Sequence, residues 1–194
     1  EVAWGTNERT KMLASCSFDG SIVIWDVERG DAVQVMTGHR NMIKGLAWDP
    51  LGQYLASQAD CEGIFIWRTS DWKCVKQVSE PFAETVEGSD HLRLSWSPNG
   101  MYLTGVQAYS LPQPYVAVLS RDRWNLEFCV VGHKSGVSIS KWNPRFFLPR
   151  KKTAGEVDPN KLAMCLCLGS MDHSFSLWLQ TERSPILHLE GFFD

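Results

Sequence analysis

Apolar and polar residues alternate along this chain in short runs, and turn residues separate the runs at regular intervals. Residues 12–16 form an apolar run, Asp19-Gly20 is a two-residue hairpin signal, and residues 21–26 alternate as a strand that ends on Trp25-Asp26. Residues 1–4 read as a strand before them and 32–36 as one after. The pattern then returns as strands at 42–48, 54–58, 63–68 and 74–79, with turns supplied by Asp49-Pro50-Leu51-Gly52 and by residues 60–63. A third set has strands at 92–96, 101–106 and 115–120, with a longer connection at 107–114 and no tryptophan on its third strand. The fourth has strands at 137–142, 162–168, 175–179 and 185–189, interrupted by a 16-residue insertion at 145–160.

Tryptophans mark the same period. Trp48, Trp96 and Trp142 each stand two residues before a proline, and from Trp4 onward the steps are 44, 48 and 46 residues. A second series, Trp25, Trp67 and Trp178, opens with a step of 42. With Gly38-His39 ahead and Trp25-Asp26 behind, this is the signature of a four-stranded propeller blade. The expected fold is all-β, a β-propeller with blades at 1–36 (begun inside a repeat), 37–79, 80–131 (degenerate) and 132–190 (carrying the insertion), and with 191–194 starting a further blade.

Composition narrows the function classes. The 194 residues are 44% hydrophobic and 21% charged, with a net charge of −3, so neither disorder nor a strongly charged tail is in view. No apolar run reaches the roughly 18 residues of a membrane span, no signal segment precedes the first strand, and the missing initiator Met suggests a piece of something longer. Cys16, Cys61, Cys74, Cys129, Cys165 and Cys167 are scattered among strand residues, which favours a reducing compartment. Cys165 and Cys167 share a strand face, but no second pair stands nearby to complete a tetrahedral metal site.

The chain resembles the WD-repeat family over its whole length. In such blades a His before the first strand, a Ser or Thr on the second, an Asp in the next turn and a Trp on the third form one hydrogen-bonded chain. Carried over, blade one shows Ser15, Asp19 and Trp25. Blade two shows His39, Ser57 and Trp67, with Cys61 where the Asp belongs and Asp60 one residue early. Blade four shows His133, Asp172 and Trp178, with Leu168 at the Ser position. Only blade one is expected to be complete. Ser57/His39 or Asp172/His133 could be drawn as nucleophile and base, but their recurrence once per repeat, without any Gly-x-Ser-x-Gly or His-Glu-x-x-His, points to a structural role and no enzyme.

A closer resemblance lies in Gly45-Leu46-Ala47-Trp48-Asp49-Pro50, Tyr54-Leu55-Ala56-Ser57-Gln58-Ala59-Asp60, Trp67-Arg68-Thr69-Ser70-Asp71-Trp72, Pro81-Phe82 and Leu92-Arg93-Leu94-Ser95-Trp96-Ser97-Pro98. These strings resemble the N-terminal propeller of the HIRA/Hir histone chaperones. The resemblance implies about four blades of a seven-bladed ring in a nuclear subunit that acts in replication-independent nucleosome assembly and transcriptional regulation. Its implied partners are a ubinuclein-like subunit and histones through the complex, with chromatin indirectly, and no cofactor, small-molecule substrate or membrane. The alternative is a generic adaptor, such as a ubiquitin-ligase substrate receptor or an RNA-processing scaffold.

Three surface features are candidates for binding. Arg93 stands where blade two has Gly45, so an inner strand offers it only the central channel or its mouth, unless an acid such as Asp60 or Glu62 holds it. Trp72, with Asp71, sits in a hairpin where it is expected to be exposed. In the insertion, Arg145, Arg150, Lys151 and Lys152 gather around Phe146 and Phe147, a set suited to nucleic acid or an acidic partner, or else a solvated loop whose aromatics fold back.

Overall fold

The computed structural model describes residues 1–5, 11–83, 89–110, 113–148 and 162–191. They form four antiparallel four-stranded sheets in chain order. Sheet one comprises β1 (Val2–Trp4), β2 (Met12–Cys16), β3 (Ile22–Asp26) and β4 (Asp31–Met36). Sheet two has β5 (Ile43–Trp48), β6 (Tyr54–Ala59), β7 (Gly63–Arg68) and β8 (Cys74–Val78). Sheet three has β9 (Ser95–Trp96), β10 (Tyr102–Ser110), β11 (Gln113–Ser120) and β12 (Leu126–Val130), and sheet four has β13 (Val137–Trp142), β14 (Cys165–Ser170), β15 (Ser174–Leu179) and β16 (Leu187–Glu190). Each sheet is a meander, its strands paired in sequence order, as WD40 blades are.

The register explains the recurring tryptophans. Trp48 pairs with Leu55 and Leu55 with Trp67, and Trp142 pairs with Leu166 and Leu166 with Trp178. Both tryptophan series thus lie in one row across sheets two and four, and in sheet three Leu119 takes the second tryptophan's place. The core is three apolar seams between consecutive sheets. Ile24, Leu46 and Trp67 fill the first, Ile66, Phe82 and Leu103 the second, and Val116, Trp142 and Leu168 the third. Outer strands β4, β8 and β16 are exposed along nearly their whole length, and burial is deepest in middle strands such as β6, β7 and β10.

Sheet three departs from expectation twice. The long connection anticipated at 107–114 is mostly strand, because β10 and β11 stay paired out to Ser110 and Gln113. A bulge between Gly105 and Ala108, with Gln107 at φ 57°, absorbs the misfit in register. The inner strand expected at 92–96 shortens to two residues, because the backbone before it serves its neighbours. The Leu92 N–H donates to the Lys44 carbonyl (3.1 Å), and Arg93 forms a parallel bridge with Ile139 through bonds of 3.0 and 2.9 Å to Ser138 and Ser140. Gly45 permits this approach, since a Cβ there would lie 1.8 Å from the Leu92 carbonyl oxygen.

Candidate protein-binding site

The inner strands enclose a cavity of about 760 Å³ whose wall includes Glu1, Trp4, Trp48, Arg93, Trp96 and Lys141. Arg93 lies on this wall with its side chain 46% exposed, and its Nε is 3.6 Å from a Glu1 carboxylate oxygen. Burial pushes the Glu1 carboxyl up against the pull of Arg93. Neither acid expected to hold Arg93 does so. Asp60 pairs instead with Lys44 at 2.5 Å and Glu62 with His39 at 3.0 Å, so both carboxylates are already engaged within sheet two. The Arg93 side chain is thus part-exposed on the cavity wall beside Glu1.

Trp72 is half-buried rather than exposed. It adopts φ 56° and stands edge-on to Trp48, with ring centroids 5.9 Å apart. Asp71 receives two bonds from Arg68, at 2.9 and 2.6 Å, and these hold its carboxyl down to about 2. The Trp-Arg-Thr-Ser-Asp-Trp string therefore closes its own turn, and Thr69 ties it to the preceding turn by a 2.7 Å bond to the Gly52 carbonyl. In the insertion, Arg145 is exposed at the stem beside the part-exposed Phe146 and Phe147, and Phe147 pairs with Ala163. Arg150, Lys151 and Lys152 lie outside the described residues.

The blade networks are more complete than their motifs suggest. In sheet two the Trp67 indole donates to the Ser57 hydroxyl (2.8 Å), the hydroxyl to His39 Nε2 (2.7 Å), and His39 Nδ1 to Glu62 (3.0 Å). Glu62, not Cys61 or Asp60, supplies the carboxylate. Cys61 occupies the left-handed corner of the turn at φ 54°, which brings the next residue into reach of the imidazole. In sheet four Trp178 donates to Ser176 (2.8 Å), Ser176 to His133 Nε2 (2.7 Å), and His133 Nδ1 to Ser174 (2.7 Å), which donates to Asp172. Ser176 is the cross-strand partner of Leu168, so the hydroxyl missing from β14 is provided by β15. Sheet one shows Trp25 donating to Ser15 at 2.9 Å, while Asp19 is engaged by Ser21 within its own turn.

These circuits are not catalytic dyads. Ser57 and Ser176 are wholly buried and each hydroxyl is already used twice, so no substrate reaches them. Burial lowers both histidines below their ordinary value, so the imidazoles are neutral at neutral pH, each donating at Nδ1 and accepting at Nε2. Burial raises Asp172, but bonds from Ser174 and the Lys134 N–H overcome it and hold the carboxyl far below the usual range. All six cysteines are free, and no cluster of His, Cys, Asp or Glu among the described residues is placed to hold a metal ion.

Two contacts had no signal in the motifs. Arg121, at the end of the third strand of sheet three, grips Asp49 of sheet two with bonds of 2.8 and 2.7 Å and lies 4.9 Å over the Tyr54 ring. Asp49 is completely buried. Gln58, also buried, reaches across the same seam to the Val106 carbonyl at 2.6 Å. Residues 72 and 48 positions apart make these pairs, and only the folded seam brings them together.

Comparison with known proteins agrees with this geometry. The WD domain, G-beta repeat family (WD40) matches residues 2–26 and 30–68. Over its whole length the chain is 33% identical to Protein HIR1 of Cryptococcus neoformans, 37% to Protein HIRA of Takifugu rubripes and 36% to Protein HIRA of Homo sapiens. It spans about a fifth of each of them (21%, 19% and 19%). The WD40 fold is a non-catalytic scaffold, and this chain is a WD40-repeat domain that matches members of the HIR1/HIRA family from one end to the other.

Proposed function

We propose that this chain is a protein-binding segment of a HIRA-like histone-chaperone subunit that acts in the nucleus, in replication-independent nucleosome assembly and transcriptional regulation. The observation that carries the reading is the match to HIR1 and HIRA proteins along the entire chain. In this reading the four sheets are blades of a seven-bladed ring, with boundaries at 1–36, 37–79, 80–131 and 132–190, and residues 191–194 lead into the next blade. A ubinuclein-like subunit and histones are the partners. Purification of the full-length protein should bring both with it, and their absence would remove the reading.

Arg93 is the contact we assign to the ubinuclein-like partner. Its side chain is 46% exposed, with Nε 3.6 Å from Glu1, and a planar guanidinium fork can meet a partner's carboxylate in two bonds. Arg93→Lys in the full-length protein keeps the charge and loses the fork. Partner affinity should drop by about tenfold or more, the range of a hot-spot arginine. Undiminished affinity in a normally folded mutant would show that Arg93 is not a contact.

A further inference from the structure

The turn between the third and fourth strands has one length in all four sheets, because the flanking pairs Ile24 with Gln34, Ile66 with Lys76, Val118 with Phe128 and Leu177 with Leu187 span it alike. Three of these turns are tied shut. In sheet two the Arg68 carbonyl accepts the Trp72 N–H (2.8 Å), and the Arg68 N–H donates to the Lys73 carbonyl (3.0 Å). In sheet three Ser120 makes the same two bonds, with the Trp124 N–H (2.9 Å) and the Asn125 carbonyl (3.0 Å). In sheet one Asp26 accepts the Gly30 N–H (2.8 Å) and is the ladder partner of Asp31.

Sheet four leaves its turn open. Leu179, Arg183 and Ser184 hold the corresponding places, but the Leu179 carbonyl takes the Glu182 N–H (2.9 Å), and among the described residues no backbone bond reaches residues 183–185. Pro185 accounts for this. In the other sheets its place is held by Ala32, Cys74 and Leu126, which face Trp25, Trp67 and Leu119 in the ladder, whereas proline has no N–H to give and a fixed φ. Pairing resumes only where the Ile186 N–H meets the Leu177 carbonyl (2.8 Å), and β16 begins at Leu187.

Ser184 is the side chain that this opening presents. It is exposed, as are Glu182, Arg183 and Ile186 around it, and no hydrogen bond holds its hydroxyl among the described residues. The following strand, β16, is exposed along its whole length, so drawing residues 182–186 off the sheet disturbs little packing. A second Ser-Pro step supplies the contrast, since of the nine prolines only Pro98 and Pro185 follow a serine and none follows a threonine. Ser97 is wholly buried, and its hydroxyl donates to Asn99 (2.7 Å) and accepts the Tyr102 N–H (2.9 Å). The same dipeptide is sealed in one turn and offered in the other.

We infer that Ser184 is a phosphorylation site for a proline-directed serine/threonine kinase. Such an enzyme takes an extended segment with a free hydroxyl, and its pocket for the next residue offers no acceptor to a backbone N–H, so proline enters without stranding a donor. Ser184 Oγ attacks the γ-phosphorus of Mg-ATP held by the kinase. The new Oγ–P bond replaces the bond to the β,γ-bridging oxygen, ADP leaves, and the hydroxyl proton passes to a carboxylate of the kinase. The product carries a charge of about −1.5 to −2 beside Arg183. The inference does not depend on the chaperone reading or on Arg93, whose cavity lies on the axis.

The test incubates the folded full-length protein with Mg-ATP and, in parallel, an active mitogen-activated kinase and an active cyclin-dependent kinase, and maps the phosphate by mass spectrometry. Phosphate should accumulate on Ser184 and not on Ser97. Pro185→Ala, which returns an N–H to the turn, should slow modification of Ser184 by about tenfold or more, the cost of a stranded donor in the kinase pocket. No phosphate on Ser184 with either kinase, an unchanged rate in a folded Pro185→Ala protein, or equal modification of Ser97 and Ser184 would each overturn the proposal. The mapping needs no variant, so it decides the question even where Pro185→Ala fails to fold.

Discussion

Ser176 shows how one atom can keep a network intact when its host residue moves. In sheet two the shared hydroxyl sits on β6 as Ser57, opposite Phe65. In sheet four the apolar residue is on β14 as Leu168 and the hydroxyl opposite it on β15 as Ser176. Two residues on, each third strand carries the tryptophan that donates to that hydroxyl. Ser176→Ala should therefore destabilise the complete propeller by about 1–3 kcal/mol in urea titration, because the Trp178 indole loses its acceptor while still buried. A change below about 0.5 kcal/mol would mean that water replaces the hydroxyl. The motif comparison could not find Ser176, because it fixed which strand must carry the hydroxyl, whereas the physics fixes only where the oxygen lies. Glu62 escaped for a related reason, since the left-handed Cys61 shifts the carboxylate by one residue.

The elements themselves were legible where local pattern decides them. Trp-x-Pro spacing, Asp-Gly and Asn-Gly turns and period-two alternation placed fifteen of the sixteen described strands to within a few residues, leaving only β12 unassigned. Sheet three was read least well, because its bulge at Gln107 and its shared inner segment answer to neighbours and not to their own sequence. Seam contacts were not legible at all. Arg121 and Asp49 are the main case: the acid is fully buried, and bidentate bonding with a stacked guanidinium offsets its desolvation. Arg121→Ala should cost about 3–5 kcal/mol, since it strands the Asp49 charge in the seam between sheets two and three. Chemical denaturation of the complete propeller measures this, and a loss under about 1 kcal/mol would show that Asp49 is satisfied by its own turn.

At the scale of the whole molecule, the buried histidines set a pH limit. Burial depresses His39 and His133 below the ordinary value near 6.5, so the unfolded chain binds their protons first as pH falls. Stability is full above about pH 6.5 and declines as pH drops through the lowered folded values, while the depressed Asp172 and Asp71 add their losses only in stronger acid, below about pH 4. Scanning fluorimetry should give a level melting temperature from about pH 7 to 8 and a fall on the order of a few °C by pH 5. His39→Gln should flatten part of that slope.

The tie at Leu92 and Arg93 has a consequence for orientation. Repeated blades approximate rotational symmetry, and a symmetric rim offers a visitor several equivalent poses. Backbone bonds from residues 92 and 93 to β5 on one side and β13 on the other are drawn at one angular position among the four sheets. They act as the notch on a dial: the four sheets cease to be equivalent, and one place along their inner edge is told apart from the rest.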